Sequence, residues 1–175
     1  RDSFKVEHLI YASTSSIYGL NNNLPFKEND KADKQISVYS STKKSAESLC
    51  HAYSYLFNIP ISVLRFFTVY GPYGRPDMAL FKFTKAILDG DEIELYNNGK
   101  MRRDFTYIDD VVTSIFLLFD NFKDLKNINE PKKNPYRVVN IGSSQKITLL
   151  EFLETLERIL GKKARFKHMP MQPGD

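Results

Sequence analysis

The sequence is poor in several features, and each shortage closes off a class of protein. It holds one cysteine, Cys50, among 175 residues. No disulfide can close within the chain, and a reducing, cytoplasmic setting is expected. The three histidines, His8, His51 and His168, stand far apart with no Cys or His at ligand spacing. No metal site is therefore expected. No apolar run reaches the ~20 residues that cross a bilayer. The N-terminus also lacks the signal-peptide pattern, so no membrane partner is expected. Net charge is only +4, from 25 basic and 21 acidic residues spread along the chain. That mild excess makes no case for nucleic acid, although it would suit a small anionic ligand. There are no internal repeats.

What is present is ordinary for a globular protein: 42% hydrophobic and 26% charged residues, in a chain long enough for one domain with a real core. Both ends look cut. "RDSFKVEHLIYAS" enters a buried-strand pattern almost at once, and "KHMPMQPGD" stops in a loop. The expectation is a piece of a larger protein.

Hydrophobic periodicity gives the organisation. Residues Val6 to Ala12 read as a strand buried on both faces. Ser37 to about Phe57 carries apolar residues at three- and four-residue spacing, as a helix does, and Pro60 ends it. "ISVLRFFTVYG" is a buried strand to about Phe67, and Gly71, Pro72, Gly74 and Pro76 make the next segment a loop. Strand, loop, helix, strand implies a βαβ unit and a parallel sheet. The second half differs. Met78 to Leu88 is a short helix, and "EIELY" and "RRDFTYI" are strand candidates around the "NNG" turn. "DDVVTSIFLLFDNF" has the acidic start that suits a helix N-terminus. Lys123 to Pro135 reads as a surface loop, "YRVVNIG" as a strand, and "TLLEFLETLERILG" as a helix closed by Gly161. The expected fold is α/β: the C-terminal part of a Rossmann-type parallel sheet with a small α+β substrate-binding lobe. Residues 1–75 would be the catalytic part of the nucleotide-binding domain. Residues 76–175 would be mainly the lobe, with sheet segments interleaved at about 104–142.

Two features carry chemistry. Four consecutive hydroxyls, Ser13, Thr14, Ser15 and Ser16, close the first strand. About two dozen residues later Tyr39 and Lys43 sit four apart near the start of the first helix, so both side chains leave on one face. A free phenol ionises near pH 10, and bringing a tyrosine base to neutrality needs about 4 kcal/mol. A positive charge ~4 Å away supplies roughly that. A hydroxyl at the strand end could hydrogen-bond the substrate oxygen that the phenolate deprotonates. In open α/β sheets, ligands bind at the carboxyl ends of the strands. A lone Tyr-x-x-x-Lys is a weak signal, and the order of elements around this one strengthens it.

"YASTSSIYG", "YSSTK", "LRFFTVYGPYGRPDMALFKF", "RRDFTYIDDV", "NIGSS" and "MPMQPGD" together resemble the extended short-chain dehydrogenase/reductases that modify nucleotide sugars. The branch most resembled is that of the UDP-glucuronate 4-epimerases. The resemblance implies a bound NAD that takes a hydride from C4 of a UDP-sugar and returns it to the opposite face. It implies Thr14 as the hydrogen-bond partner of the C4 oxygen, Tyr39 as the base, and Lys43 as the lysine that lowers its pKa and holds the nicotinamide ribose. It further implies Ser15, Ser16 and Thr68 lining the sugar pocket and Arg75 near the sugar carboxylate. Arg103 would lie on the diphosphate, Tyr96 on the uracil and Asp175 near the uridine ribose. A homodimer, built through the Tyr-Lys helix, is implied as well.

Plainer roles compete. Arg75 could pair with Asp77, Arg103 with Asp104, and the serines could satisfy turn backbone groups. Dehydratases of the family carry Asp-Glu where this chain has Ser15 and Ser16. Two hydroxyls cannot act as acid and base near neutral pH, so dehydration is disfavoured. The family's Gly-rich fingerprint belongs upstream of this sequence, so the isolated chain is expected to bind NAD poorly and to be inactive. The alternatives are another nucleotide-sugar 4-epimerase or reductase, and a non-catalytic nucleotide-sugar binding module.

Overall fold

The computed structural model describes residues 6–121 and 135–170. The chain forms two compact units. The first holds the described residues up to 67 together with those of 109–142, and the second holds 68–108 and those from 143 onward. The architecture is mixed α/β with parallel sheets, as expected.

The first unit is built on three parallel strands, β1 (Leu9–Thr14), β2 (Ile61–Phe66) and β7 (Tyr136–Ile141), in the order β1-β2-β7. Helix α1 (Val38–Phe57) packs on all three. Its start is fixed by a capping box. Ser37 Oγ accepts from the Ser40 amide while Ser40 Oγ reaches back to the Ser37 amide. Asn58, at φ 49°, turns the chain out of the helix ahead of Pro60. The α3 helix (Ile108–Asp120) opens with Asp109 and Asp110 in its first turn. It is tied to β7 by Arg137, which donates to the Leu118 carbonyl at 3.2 Å.

Two expectations shift here. The first strand runs two residues further than the apolar pattern suggested, so Ser13 and Thr14 belong to it. It is not buried on both faces: Leu9 is 41% exposed, whereas Ile61, Val63 and Leu64 of β2 are fully buried. Among the described residues β1 pairs on one side only, and β2 on both. Beyond β1, a single 3-10 turn (Ser15–Tyr18) buries Ile17 and Tyr18 and ends at Gly19. That glycine is required: its φ is +53°, and a Cβ there would lie 1.9 Å from the Lys34 carbonyl oxygen.

The second unit contains α2 (Ala79–Asp89), α4 (Leu149–Leu160) and six short strands. Its core is Ile87, Ile93, Leu95, Leu153 and Leu156, with Phe83 and Phe152 packed against them. β3 (Thr68–Tyr70) pairs with β6 (Phe105–Tyr107), both parallel. β4 (Glu92–Tyr96) pairs in parallel with β9 (Arg165–Met169). β5 (Arg102–Arg103) pairs antiparallel with β8 (Ile147–Thr148). The two strand candidates that flank the "NNG" turn therefore do not pair with each other, and "RRDFTYI" divides between two partners. Most of the expected surface loop at 123–135 lies outside the described residues.

Candidate active site

The row of hydroxyls that closes β1 does not form one wall. Strand alternation sends neighbouring side chains to opposite faces, and burial separates them further. Ser13 turns inward and donates to Glu47 Oε1 at 2.6 Å, with both groups buried. Thr14 is 8% exposed, and its Oγ1 accepts from the Ser16 amide at 3.2 Å, which starts the 3-10 turn. Ser15 is half-buried and Ser16 is exposed.

Tyr39 and Lys43 stand one turn apart on α1, with Lys43 Nζ 6.0 Å from the Tyr39 ring centroid. Lys43 Nζ donates to the Ala12 carbonyl at 2.9 Å and lies 5.3 Å from the Tyr11 ring. The ammonium thus bridges the helix to the end of β1, two residues before Thr14. Tyr39 is 54% exposed, open to a ligand. The first unit therefore brings Thr14, Ser15 and Ser16 at a strand end together with Tyr39 and Lys43 on the helix packed against that strand.

The second unit gathers the other candidates. A cavity of about 560 Å³ is lined by Thr68, Tyr96, Arg103, Lys82, Glu94 and Phe105, among others. That volume is ordinary for a small-molecule site. Tyr96 donates to Glu94 Oε2 at 2.8 Å, and this hydrogen bond to a carboxylate raises the phenol's pKa. Arg75 pairs with Asp77, its Nε donating to Oδ1 at 3.0 Å on an exposed loop. Asp77 also lines the cavity, so the plainer partner foreseen for Arg75 is the one it has here. Asp104 is engaged differently. Its carboxylate accepts from Thr106 Oγ1, the Ser143 amide and hydroxyl and the Ser144 amide, all at 2.8–3.0 Å. Its backbone carbonyl accepts from the Thr68 amide at 3.0 Å. Asp104 therefore braces the strand that presents Arg103 and the strand that presents Thr68. Asp175 lies outside the described residues.

Sequence reasoning missed the acid at the centre of the first unit. Glu47 is 2% exposed and takes a two-pronged ion pair from Arg65, at 3.0 Å from Nε and 2.9 Å from the terminal nitrogen. Burial alone would raise its pKa, but the hydrogen bonds from Arg65 and Ser13 and the Arg65 and Lys44 charges outweigh this and hold it below the usual value. A signal was present. An arginine in the middle of the apolar run "ISVLRFF" must find an anion if that run is buried.

Among the described residues no group of acids, cysteines or histidines could hold a metal, and no helix is long and apolar enough to cross a membrane.

Residues 1–142 match the NAD dependent epimerase/dehydratase family. A probable UDP-glucuronate 4-epimerase of Rhizobium meliloti is 49% identical over 97% of this chain and 52% of its own length. The UDP-glucuronic acid 4-epimerase of Bacillus cereus, solved with UDP-glucuronic acid and NAD, superposes with a TM-score of 0.81 at 35% identity, covering 98% of this chain and 51% of that one. MoeE5, solved with UDP-glucose and NAD, gives a TM-score of 0.80 at 30% identity, covering 97% of this chain and 53% of that one. The chain spans about half the length of the curated relatives it matches.

Proposed function

The chain belongs to the NAD dependent epimerase/dehydratase family, and from that premise we propose that the full-length protein inverts C4 of a UDP-sugar, converting UDP-glucuronate to UDP-galacturonate. The observation that carries this reading is the grouping in the first unit. Thr14 stands at a strand end, and Tyr39 and Lys43 stand on the helix that Lys43 itself ties to that strand.

Each of these residues has a task that its chemistry fits. Tyr39 takes the proton of the C4 hydroxyl and later returns it. Thr14 holds the C4 oxygen in line for that transfer. Lys43 places a positive charge one helical turn from Tyr39, 6.0 Å from its ring. An ammonium has three N–H donors, and Ala12 takes one of them, so the group suits a ribose hydroxyl as well. The half-exposed phenol and this ammonium fit the nicotinamide end of NAD, which would supply the hydride acceptor and donor. The second unit would hold the rest of the substrate, with Arg103 on the diphosphate, Tyr96 against the uracil, and Thr68 and Arg75 on the sugar. The 35–49% identity to glucuronate epimerases favours the uronate.

A second reading keeps the chemistry and changes the sugar, since a relative solved with UDP-glucose is nearly as alike in fold. The test is to give the full-length protein UDP-glucuronate and UDP-glucose separately and follow the C4 epimers by NMR. Conversion of the glucuronate alone is expected. Conversion of glucose alone would retain Thr14, Tyr39 and Lys43 and overturn the substrate. No conversion of either, with NAD bound, would overturn both substrates and point to another sugar or to a binding role.

A further inference from the structure

Two anchors hold the end of β1 to α1, adjacent on the strand and one turn apart on the helix. Lys43 donates to the Ala12 carbonyl at 2.9 Å. One helical turn on, Glu47 accepts from the Ser13 hydroxyl at 2.6 Å. The next residue of the strand is Thr14.

Glu47 is itself held on every side. Arg65 grips both of its oxygens, and Lys44 approaches Oε2 at 3.4 Å. Arg65 lies directly beside Ser13 across the sheet, and Asn140 lies directly beside Arg65. Arg65 also donates to the Tyr18 hydroxyl at 3.0 Å, and Tyr18 donates to Asn140 Oδ1 at 2.7 Å. One buried chain of hydrogen bonds thus joins three strands, α1 and the 3-10 turn. The row it crosses sits immediately below Thr14 in the register.

Such a cluster is an odd choice for stability alone. Well-packed apolar side chains of similar volume generally hold a core as firmly as a buried ion pair, or more so. What they cannot do is fix a direction and a length. A charge-assisted hydrogen bond does both.

We infer that Glu47 is a positioning residue: through Ser13 it sets where Thr14 stands along α1 relative to Tyr39 and Lys43. This rests on the reading of those three residues as catalytic. Arg65 serves the same end by holding the Glu47 carboxylate in one orientation. A displacement of the order of 1 Å between reacting groups costs about 100-fold in rate, so a small slip of the strand end would register in turnover before it registered in folding.

The test uses the full-length protein with Ser13→Ala, Glu47→Gln and the double variant. Ser13→Ala cuts the link yet leaves the ion pair intact. It is expected to lower kcat by about 100-fold with KM and the thermal midpoint nearly unchanged. The double variant is expected to be no worse than the poorer single variant, because both break the same link. A Ser13→Ala enzyme within about twofold of the original kcat would overturn the inference, as would full additivity of the two changes. Glu47→Gln leaves Arg65 without its charge partner; if that variant does not fold, Ser13→Ala still decides.

Amide exchange gives a readout free of turnover. Exchange at residues 13–16 should quicken in Ser13→Ala while β2 stays protected, and unchanged exchange there overturns the inference. Thr14→Ala run alongside separates the two claims. If it leaves kcat intact, the catalytic reading falls, and the exchange result still judges the link.

Discussion

The two units differ in what occupies their centres. In the first, a buried carboxylate and guanidinium sit amid Ser13, Tyr18 and Asn140, and apolar residues pack around a polar centre. In the second, the buried cluster is entirely aliphatic: Ile87, Ile93, Leu95, Leu153 and Leu156. Its charged candidates, Arg75, Arg103 and Asp77, stand outside that core on short strands and a loop. A polar centre fixes direction, as the proposed proton transfer demands. An aliphatic core supplies cohesion without direction, and in the second unit direction comes from Asp104, which braces the strands that present Arg103 and Thr68.

The largest expected effect breaks the first unit. Glu47→Leu strands a buried guanidinium and should cost about 3–5 kcal/mol in urea unfolding. Adding Arg65→Met should recover most of that loss, because two apolar groups leave no charge unpaired. Failure of the second change to rescue would mean that the cluster contributes more than electrostatic balance.

Acid sharpens the contrast. The folded state holds the Glu47 carboxyl below its ordinary 4.5. The stabilisation it confers is therefore present above about pH 4.5 and is lost as pH falls through the lower folded value. The first unit should lose amide protection on acidification, and Glu47→Leu with Arg65→Met should remove the part of that loss due to this carboxyl. An unchanged acid profile in the double variant would assign the loss to other groups.

Leu153→Ala tests the second unit. The side chain is 1% exposed in the aliphatic cluster, so its truncation should cost about 2–5 kcal/mol, rising with the cavity it leaves. Unlike the first case, the cost should vary little with pH. A strong pH dependence would show that charge reaches this core after all.

How much of this was legible in the sequence follows the same divide. The parallel strands of the first unit and the four α-helices among the described residues were visible because their apolar patterns are strong, and two of the helices carry capping boxes, Ser37 with Ser40 and Thr148 with Glu151. In the second unit β4 was legible as "EIELY", and β5 and β6 within "RRDFTYI", but β8, β9 and the pairing of the small sheets were not. β9 reads "RFKHM", mostly exposed, with no alternation to mark it, and β5 and β8 are two residues each. Their pairing is set by tertiary packing, to which local pattern is blind. Tyr39 and Lys43 could be grouped because one helical turn joins them. Glu47 could not, because its meaning depends on Arg65 and Ser13, brought to it by the sheet. The inward turn of Ser13 was hidden for the same reason: four adjacent hydroxyls look alike until the strand assigns each a face.

The smallest expected effect on stability concerns Arg75 and Asp77. Both are exposed, and solvent screens such a pair so well that Asp77→Asn should leave the unfolding midpoint where it is. Its effect belongs to binding. Asp77 is a carboxylate already seated on the guanidinium proposed to meet the sugar's carboxylate, so the two anions compete for one fork of donors. Replacing Asp77 by Asn weakens the internal competitor and leaves Arg75 more available. The KM for UDP-glucuronate should then fall by no more than about fivefold, the size expected of an exposed pair, while any activity on UDP-glucose stays unchanged. A fall for both sugars alike would mean that Asp77 acts on the pocket generally. No change for either would leave Arg75 as half of a surface ion pair, and the proposed uronate preference would then have to rest on Thr68.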